Sequence, residues 1–322
     1  MFGKRLLPGG ANRPSPGILA VFALSLAALF WSGNFIAGRA LRDDIDPVML
    51  NTLRWLLCLA LFLPLVGGRV IRYRHLVRRD WRLLLALGAT GIAAFQTMIY
   101  MALSQTTAAN AVLMLALTPA AILIGGALSG GARPTAIQGA GTAISLIGAA
   151  VLITRGDVSV LLTFSFNRGD LWMLGAVVAW AVYSLLLRQR PADLPQDVTL
   201  AVSITFGLAL IAPLTVFSDP LDPWSWSLGV VSALLYIAVF ASLIAFLLWS
   251  YGVSVLGPQR AGQFVHLMPV FGPILAVLIL QETLVAPQIA GAAIVFFGMY
   301  LVNRRPAPGP SGNPAPDRTP RK

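Results

Sequence analysis

The sequence predicts an all-α integral membrane protein with about ten transmembrane helices in two inverted five-helix repeats. Three observations carry that reading. Of the 322 residues, 57% are hydrophobic and only 11% charged, and the mean hydropathy is +0.79. A soluble domain carries roughly 25% charged residues. The apolar runs repeatedly reach the roughly 20 residues that cross about 30 Å of hydrocarbon as a helix, and the ten-residue alternating segments of a membrane barrel are missing. Finally, the chain repeats itself. Leu117-Thr118-Pro119, followed by Gln138, Gly141 and Gly148, recurs 150 residues later as Leu267-Met268-Pro269, followed by Gln288, Gly291 and Gly298. Met101–Ile153 lies over Tyr251–Asn303 without a gap, with about a quarter of the positions identical. A shared register of one proline, one glutamine and two glycines marks an internal repeat rather than chance apolar likeness.

In chain order, residues 1–17 form a basic lead expected to be disordered, with Lys4, Arg5 and Arg13 among Gly and Pro. The run 18–38 is longer than the apolar core of a signal peptide and contains Trp31 and Asn34, so it reads as a retained first helix. The second run, 47–66, is entered through Arg42-Asp43-Asp44-Ile45-Asp46 and left through an arginine-rich loop, Gly67–Trp81. Further runs fall near 83–103, 109–129 and 137–153, completing a first repeat over 18–154. After a connecting loop (155–169), the second repeat (170–303) has runs near 170–187, 196–217, 227–249, 262–280 and 286–303. The tail, 304–322, is rich in Pro and Gly, basic, and expected to be disordered.

The charges orient these helices. With the N-terminus in the cytoplasm, 18 of the 23 Lys and Arg fall on inside segments, four (Arg39, Arg42, Arg155, Arg168) outside, and Arg54 within a helix. That is the positive-inside signature. It accounts for the net charge of +11 without nucleic acid and implies anionic lipid as the polyanionic partner. The expected location is the plasma (inner) membrane, with both termini cytoplasmic. Five helices per copy is an odd number, so the second copy crosses upside down. Inverted repeats are a construction of secondary transporters, with the substrate site near the midplane between the halves. Pro119 and Pro269 each fall roughly 12–14 Å into their helices. Each frees the carbonyl four residues back, on Leu115 and Val265. Such helix breaks are tolerated at that depth only against protein or a wet cavity, and the two prolines are expected to line one.

Several stretches look familiar. Phe30-Trp31-Ser32-Gly33-Asn34, then Ala179-Trp180-Ala181-Val182-Tyr183-Ser184 with Arg188, resemble the openings of the two halves of the EamA-type drug/metabolite transporter family. So does the Ala-rich helix ending at Pro119 and Pro269, followed by Gln-x-x-Gly and a late Gly. Gln281-Glu282 stands where that family has Gly-Glu before the last helix, and the first copy has Ala132 in place of the glutamate. The resemblance runs from about residue 18 to 303. It implies ten helices in two inverted halves and secondary transport, often export of amino acids or other small metabolites.

Polar groups at membrane depth are costly and tend to face the bundle interior or water. Asn34 either contacts solute or bonds a neighbouring backbone. Arg54 either snorkels to the outer headgroups, pairing with Asp43 or Asp46, or binds an anion. Gln96 and Tyr100 share one helix face at a four-residue spacing. Trp180 and Tyr183 either wall a cavity or pack between helices. Gln263 and His266 are polar in the ninth run, and His266 lies on one face with Gly262, Pro269 and Pro273. An imidazole titrates near pH 6.5 and burial favours its neutral form, so His266 either relays a coupling proton, hydrogen-bonds the solute, or is a neutral histidine satisfied by a neighbouring helix. The repeated glycines are expected at close helix packing and Gln138 and Gln288 at helix ends.

The sequence has no Cys/His ligand cluster, Walker loop or His-Glu-x-x-His, and its histidines are His75 and His266. No metal, cofactor, catalytic residue or nucleotide-driven step is therefore expected, and Cys58 alone forms no intrachain disulfide. The expected function is alternating-access transport of a small organic solute with protons as a candidate coupling ion. The alternative is a non-transporting membrane scaffold or receptor-like protein.

Overall fold

In hydrocarbon every backbone N–H and C=O must find its partner within the protein, so apolar runs of this length form helices. The computed structural model describes residues 15–41, 44–106, 108–130, 133–162, 167–218, 226–280 and 285–303, and these contain helices and connecting turns but no strand. Nine helices among them are long and apolar enough to cross a membrane. The tail from residue 304, residues 1–14 of the lead, Asp43, Ala132 and Gln281-Glu282 lie outside the described residues.

α1 (Pro16–Ala40) and α2 (Pro47–Arg72) start the same way, with a capping side chain followed by proline at the first helical position. Asp46 accepts from the backbone N–H groups of Val48 and Met49 at 2.9 and 3.1 Å. α3 (Trp81–Leu103) contains a π-helical stretch at Gly88–Ala94. α4 is two helices, Ala108–Leu115 and Thr118–Leu128, separated by a turn just before Pro119. α5 (Ala136–Thr154) begins with a reciprocal cap in which Gln138 accepts from Thr135 N–H and Thr135 Oγ1 from Gln138 N–H. α6 (Arg168–Arg188) has the equivalent cap from Asn167 and Asp170.

α7 (Gln196–Phe217) ends in a 3-10 turn, Ala212–Phe217, and α8 (Leu228–Leu256) has a π stretch at Ile237–Ile244. α9 runs as Pro258–Gly262, a 3-10 segment Gln263–Leu267, and Met268–Leu280. α10 is Ala286–Asn303, where Gln288 accepts from Val285 N–H at 3.1 Å. Both end-of-helix glutamines therefore cap as expected.

One expectation changes. The loop expected at Gly67–Trp81 is mostly helical, because α2 continues to Arg72 and a short helix covers Arg74–Arg79. Arginine is a good helix former and no proline interrupts that stretch. The ninth run is helical over Pro258–Leu280, with Gln259, Arg260, Gln263 and His266 in its first half.

The repeat is visible in the departures from ideal helix. The π stretches of α3 and α8 end at Ala94 and Ile244, 150 residues apart. The breaks in α4 and α9 precede Pro119 and Pro269, also 150 apart. α5 and α10 pack on each other through the repeated glycines, Gly141 against Gly298 and Gly148 against Gly291. As one index rises the other falls, so these two helices run antiparallel. A methyl group on Gly298 would sit 2.5 Å from the carbonyl oxygen of Gly141 and 2.5 Å from the amide nitrogen of Ser145. Ser145 Oγ donates across the seam to the Val295 carbonyl at 3.0 Å.

At the arginine-rich end, Arg79 forks onto Asp193 in the α6–α7 connection, with N···O distances of 2.8 and 3.0 Å, and also binds Asp80. Arg69 of α2 meets Asp197 of α7 at 2.5 Å. These pairs tie the two repeats together at that end.

Two predictions follow from the packing. Gly298→Ala should lower the melting temperature of the purified protein by several degrees, since overpacking costs about 1–3 kcal/mol and the obstacle is backbone. Gly139→Ala, where nothing lies within 4 Å, should raise it by removing a helix glycine. Equal responses would contradict the seam. The Arg79 hydrogen bonds hold the Asp193 carboxyl below the usual aspartate range. A depressed folded-state pKa adds stability above the unfolded value, about 3.9, and that contribution is lost as pH falls through the folded value. Asp193→Asn should therefore melt below wild type at pH 7, with the gap closing below about pH 4 and shrinking in high salt. A gap that persists in acid would rule out the charge pair as its source.

Candidate functional site

Where α1, α3, α6 and α8 approach each other, their aromatic side chains meet. Trp31 lies 5.1 Å from Trp180, 5.4 Å from Trp249 and 6.0 Å from Phe246, measured between ring centroids. Phe95 lies 4.4 Å from Trp180. The edge-on and tilted geometries among them are those that aromatic quadrupoles favour. The π stretch of α8 helps to fix this cluster, because Trp31 Nε1 donates to the Ala241 carbonyl inside it at 3.0 Å.

Beside the cluster is a small cavity of about 20 Å³, lined by Trp31, Asn34, Phe95, Gln96, Trp180, Leu115 and Val265 among others. Leu115 and Val265 are the two residues whose carbonyls the prolines leave without a helical donor. Both residues line this cavity, and neither Pro119 nor Pro269 is among its lining residues. Pro119 itself packs 3.7 Å from a methyl position on Gly262. Pro269 lines a separate cavity of about 360 Å³, with Ser32, Ile36, Val112 and Gln288.

A further cavity of about 280 Å³ lies between the ends of α1, α2 and α3, lined by Gly38, Pro47, Leu50, Tyr100 and Ser104. Both larger cavities sit toward the end of the bundle opposite the Arg79–Asp193 and Arg69–Asp197 pairs.

Between the aromatic cavity and the 280 Å³ cavity lies Arg54. Of the two readings of this residue, a side chain snorkelling to the outer headgroups does not fit, for it is fully buried. Asp46 is occupied with the N-terminus of α2 instead. Arg54 Nε donates to Ser242 Oγ at 2.9 Å, and Nη1 to Tyr100 Oη at 2.8 Å, with Asn34 Oδ1 at 3.5 Å. Its guanidinium carbon lies 5.1 Å from the Trp55 ring centroid, within cation–π range. Ser242 is held in turn by its bond to the Ile237 carbonyl five residues back, at 2.8 Å, in the π stretch.

Thus Asn34, Arg54, Gln96, Tyr100 and Trp180 come together. Tyr183 packs behind Trp180, 5.0 Å between centroids, and is buried. Gln263 and His266 lie elsewhere, at crossings between the two repeats. Gln263 Nε2 donates to Thr142 Oγ1 at 3.0 Å, and His266 Nε2 is 2.8 Å from the Ala116 carbonyl. That carbonyl belongs to the break in α4 and to the residue 150 positions before His266. Sequence reasoning missed Ser242, Phe95, Phe246 and Trp249. Ser242, the one hydroxyl of the stretch Ile237–Ile244, was the signal available for this group.

Comparison with known proteins agrees with this architecture. The model of the EamA-like transporter family matches twice, over residues 18–154 and 167–304. The chain is 31% identical to a Bacillus subtilis protein described as "Uncharacterized transporter YdeK", over 82% of this chain and 91% of that one. It is 26% identical to a "Probable terminal-alkyne amino-acid exporter" of Streptantibioticus cattleyicolor, over 89% and 94%. One solved crystal structure superposes with a TM-score of 0.72 at 22% identity, covering 90% of this chain and 96% of that one. With both of its halves matched and its membrane helices in place, the chain belongs to the EamA-like transporter family.

Proposed function

We propose that the protein is a secondary transporter that moves a small organic metabolite, an amino acid or related solute, outward across the plasma membrane by alternating access. The observation that carries this reading is the aromatic and amide-lined cavity at the meeting of the two repeats. Larger cavities flank it toward one end, while ion pairs tie the other. A site with one tied face is what alternating access requires of one of its states. The antiparallel packing of α5 on α10 supports two inverted halves, with Pro258–Leu280 counted as a tenth membrane helix. The division of basic residues supports cytoplasmic termini and places the ion pairs on the cytoplasmic side. The exporter among the relatives supports the direction and the solute class.

Protons are the proposed coupling ion, with His266 as the residue that carries them. Its Nε2 is engaged by Ala116, while Nδ1 has no partner among the described residues and is free to accept a proton. Protonation there would place a charge at the crossing of the two halves and so bias their arrangement.

Proteoliposomes should show counterflow of labelled amino acids or related metabolites, measured as uptake against an unlabelled internal pool. Liposomes that move none of a broad labelled panel would end the transporter reading. For coupling, His266→Gln should keep counterflow, which needs no gradient, but lose proton-driven accumulation. A variant that accumulates solute like wild type across pH 5–8 would leave His266 with a purely structural part.

A further inference from the structure

Among the described residues, Arg54 is a cation without a counter-charge. Its side chain is fully buried, and the groups it meets, Ser242, Tyr100 and Asn34, are all neutral. Among the described residues no carboxylate lies within ion-pair distance of it. Of its five N–H groups, both on Nη2 lack any partner among the described residues. A buried charge left unpaired costs several kcal/mol. A membrane protein that needed only a hydrogen-bond donor at this point could use a neutral one at far lower cost. The guanidinium also sits at a junction, since Asn34 walls the aromatic cavity and Tyr100 walls the larger cavity beside it.

We propose that Arg54 is the headgroup site for the transported solute, and that the headgroup is a single carboxylate. This rests on the transporter reading and specifies its substrate class. One cation balances one negative charge, whereas a phosphate dianion would leave excess charge in a dry site. The free Nη2 donors offer a carboxylate charge-assisted bonds, while Ser242 and Tyr100 hold the guanidinium in place. The aromatic faces of Trp31, Phe95 and Trp180 accommodate the organic body. Gln96 shares a helix face with Tyr100, and its Oε1 is buried with no partner among the described residues. It is the acceptor for an N–H or O–H donor on the same solute. The class is therefore a monocarboxylate bearing a donor close to its carboxyl group, an amino acid or a hydroxy acid.

The test compares each acid with its uncharged twin. Wild type, Arg54→Met and Arg54→Lys are placed in nanodiscs, and their melting temperatures are followed during titration with L-amino acids, short 2-hydroxy acids and the primary amide of each. Chloride and inorganic phosphate are titrated as separate arms. At least one acid should bind wild type about ten- to hundredfold more tightly than its amide, the difference a charged hydrogen-bonding group supplies. Arg54→Met should lose that preference and, without ligand, melt no lower than wild type, because it removes an unpaired buried charge. Arg54→Lys should keep part of the preference.

The proposal is overturned if no acid outbinds its amide, if Arg54→Met keeps the preference, or if chloride or phosphate stabilises wild type as strongly as the best acid. Should Arg54→Met not fold, Arg54→Lys decides: a reduced preference supports the assignment and an unchanged one overturns it. Counterflow in the same lipid separates the two readings. Acid binding without counterflow leaves the site standing and removes the transporter. Counterflow inhibited equally by acid and amide does the reverse.

Discussion

A polar group inside a bilayer has no water to fall back on, and the departures from ideal helix in this protein answer to that constraint. Helices can be interrupted at mid-membrane only if something else takes up the groups they release. Here the partners repeatedly come from the other repeat. Trp31 bonds the Ala241 carbonyl, Ser32 the Met268 carbonyl at 3.1 Å, Tyr236 the Phe30 carbonyl at 3.0 Å, and His266 the Ala116 carbonyl. Each half thus supplies side chains to the backbone of its counterpart. The irregular helices converge on the centre because only there are such partners within reach.

This constraint also sets what could be read from the sequence. Pro119 and Pro269 announce themselves, since proline always removes a donor, and the 150-residue offset located both breaks before any coordinates did. Gln138 and Gln288 were legible for a similar reason, because a cap is a local affair of three or four residues. Arg54 was not. Its surroundings are set by Ser242, Tyr100 and Asn34, at separations of 188, 46 and 20 residues, and no local pattern encodes them. The π stretches were equally silent, since Gly88–Ala94 and Ile237–Ile244 have no residue type in common that would demand them. His266 was singled out correctly as unusual, but its bond to Ala116 depends on a helix crossing invisible in one dimension.

The two repeats share a frame but not their chemistry. The position equivalent to His266 in the first half is Ala116. Proline breaks, π stretches and packing glycines recur, because they shape the backbone that both copies need. Among the described residues, the buried arginine Arg54 lies in the first half and the buried histidine His266 in the second. Duplication therefore supplies the geometry, and later divergence places a cation in one copy and an imidazole in the other.

The α5–α10 seam has a mechanical consequence. Ordinary helix pairs interlock, ridge into groove, and must climb over one another to change angle. Along Gly141, Gly148, Gly291 and Gly298 the surfaces are bare backbone, with few side-chain teeth to disengage. Such a contact behaves like a plain bearing, holding two parts at a fixed distance while resisting rotation weakly. Side chains added along it would push the two helices apart and replace the bearing with interlocking surfaces.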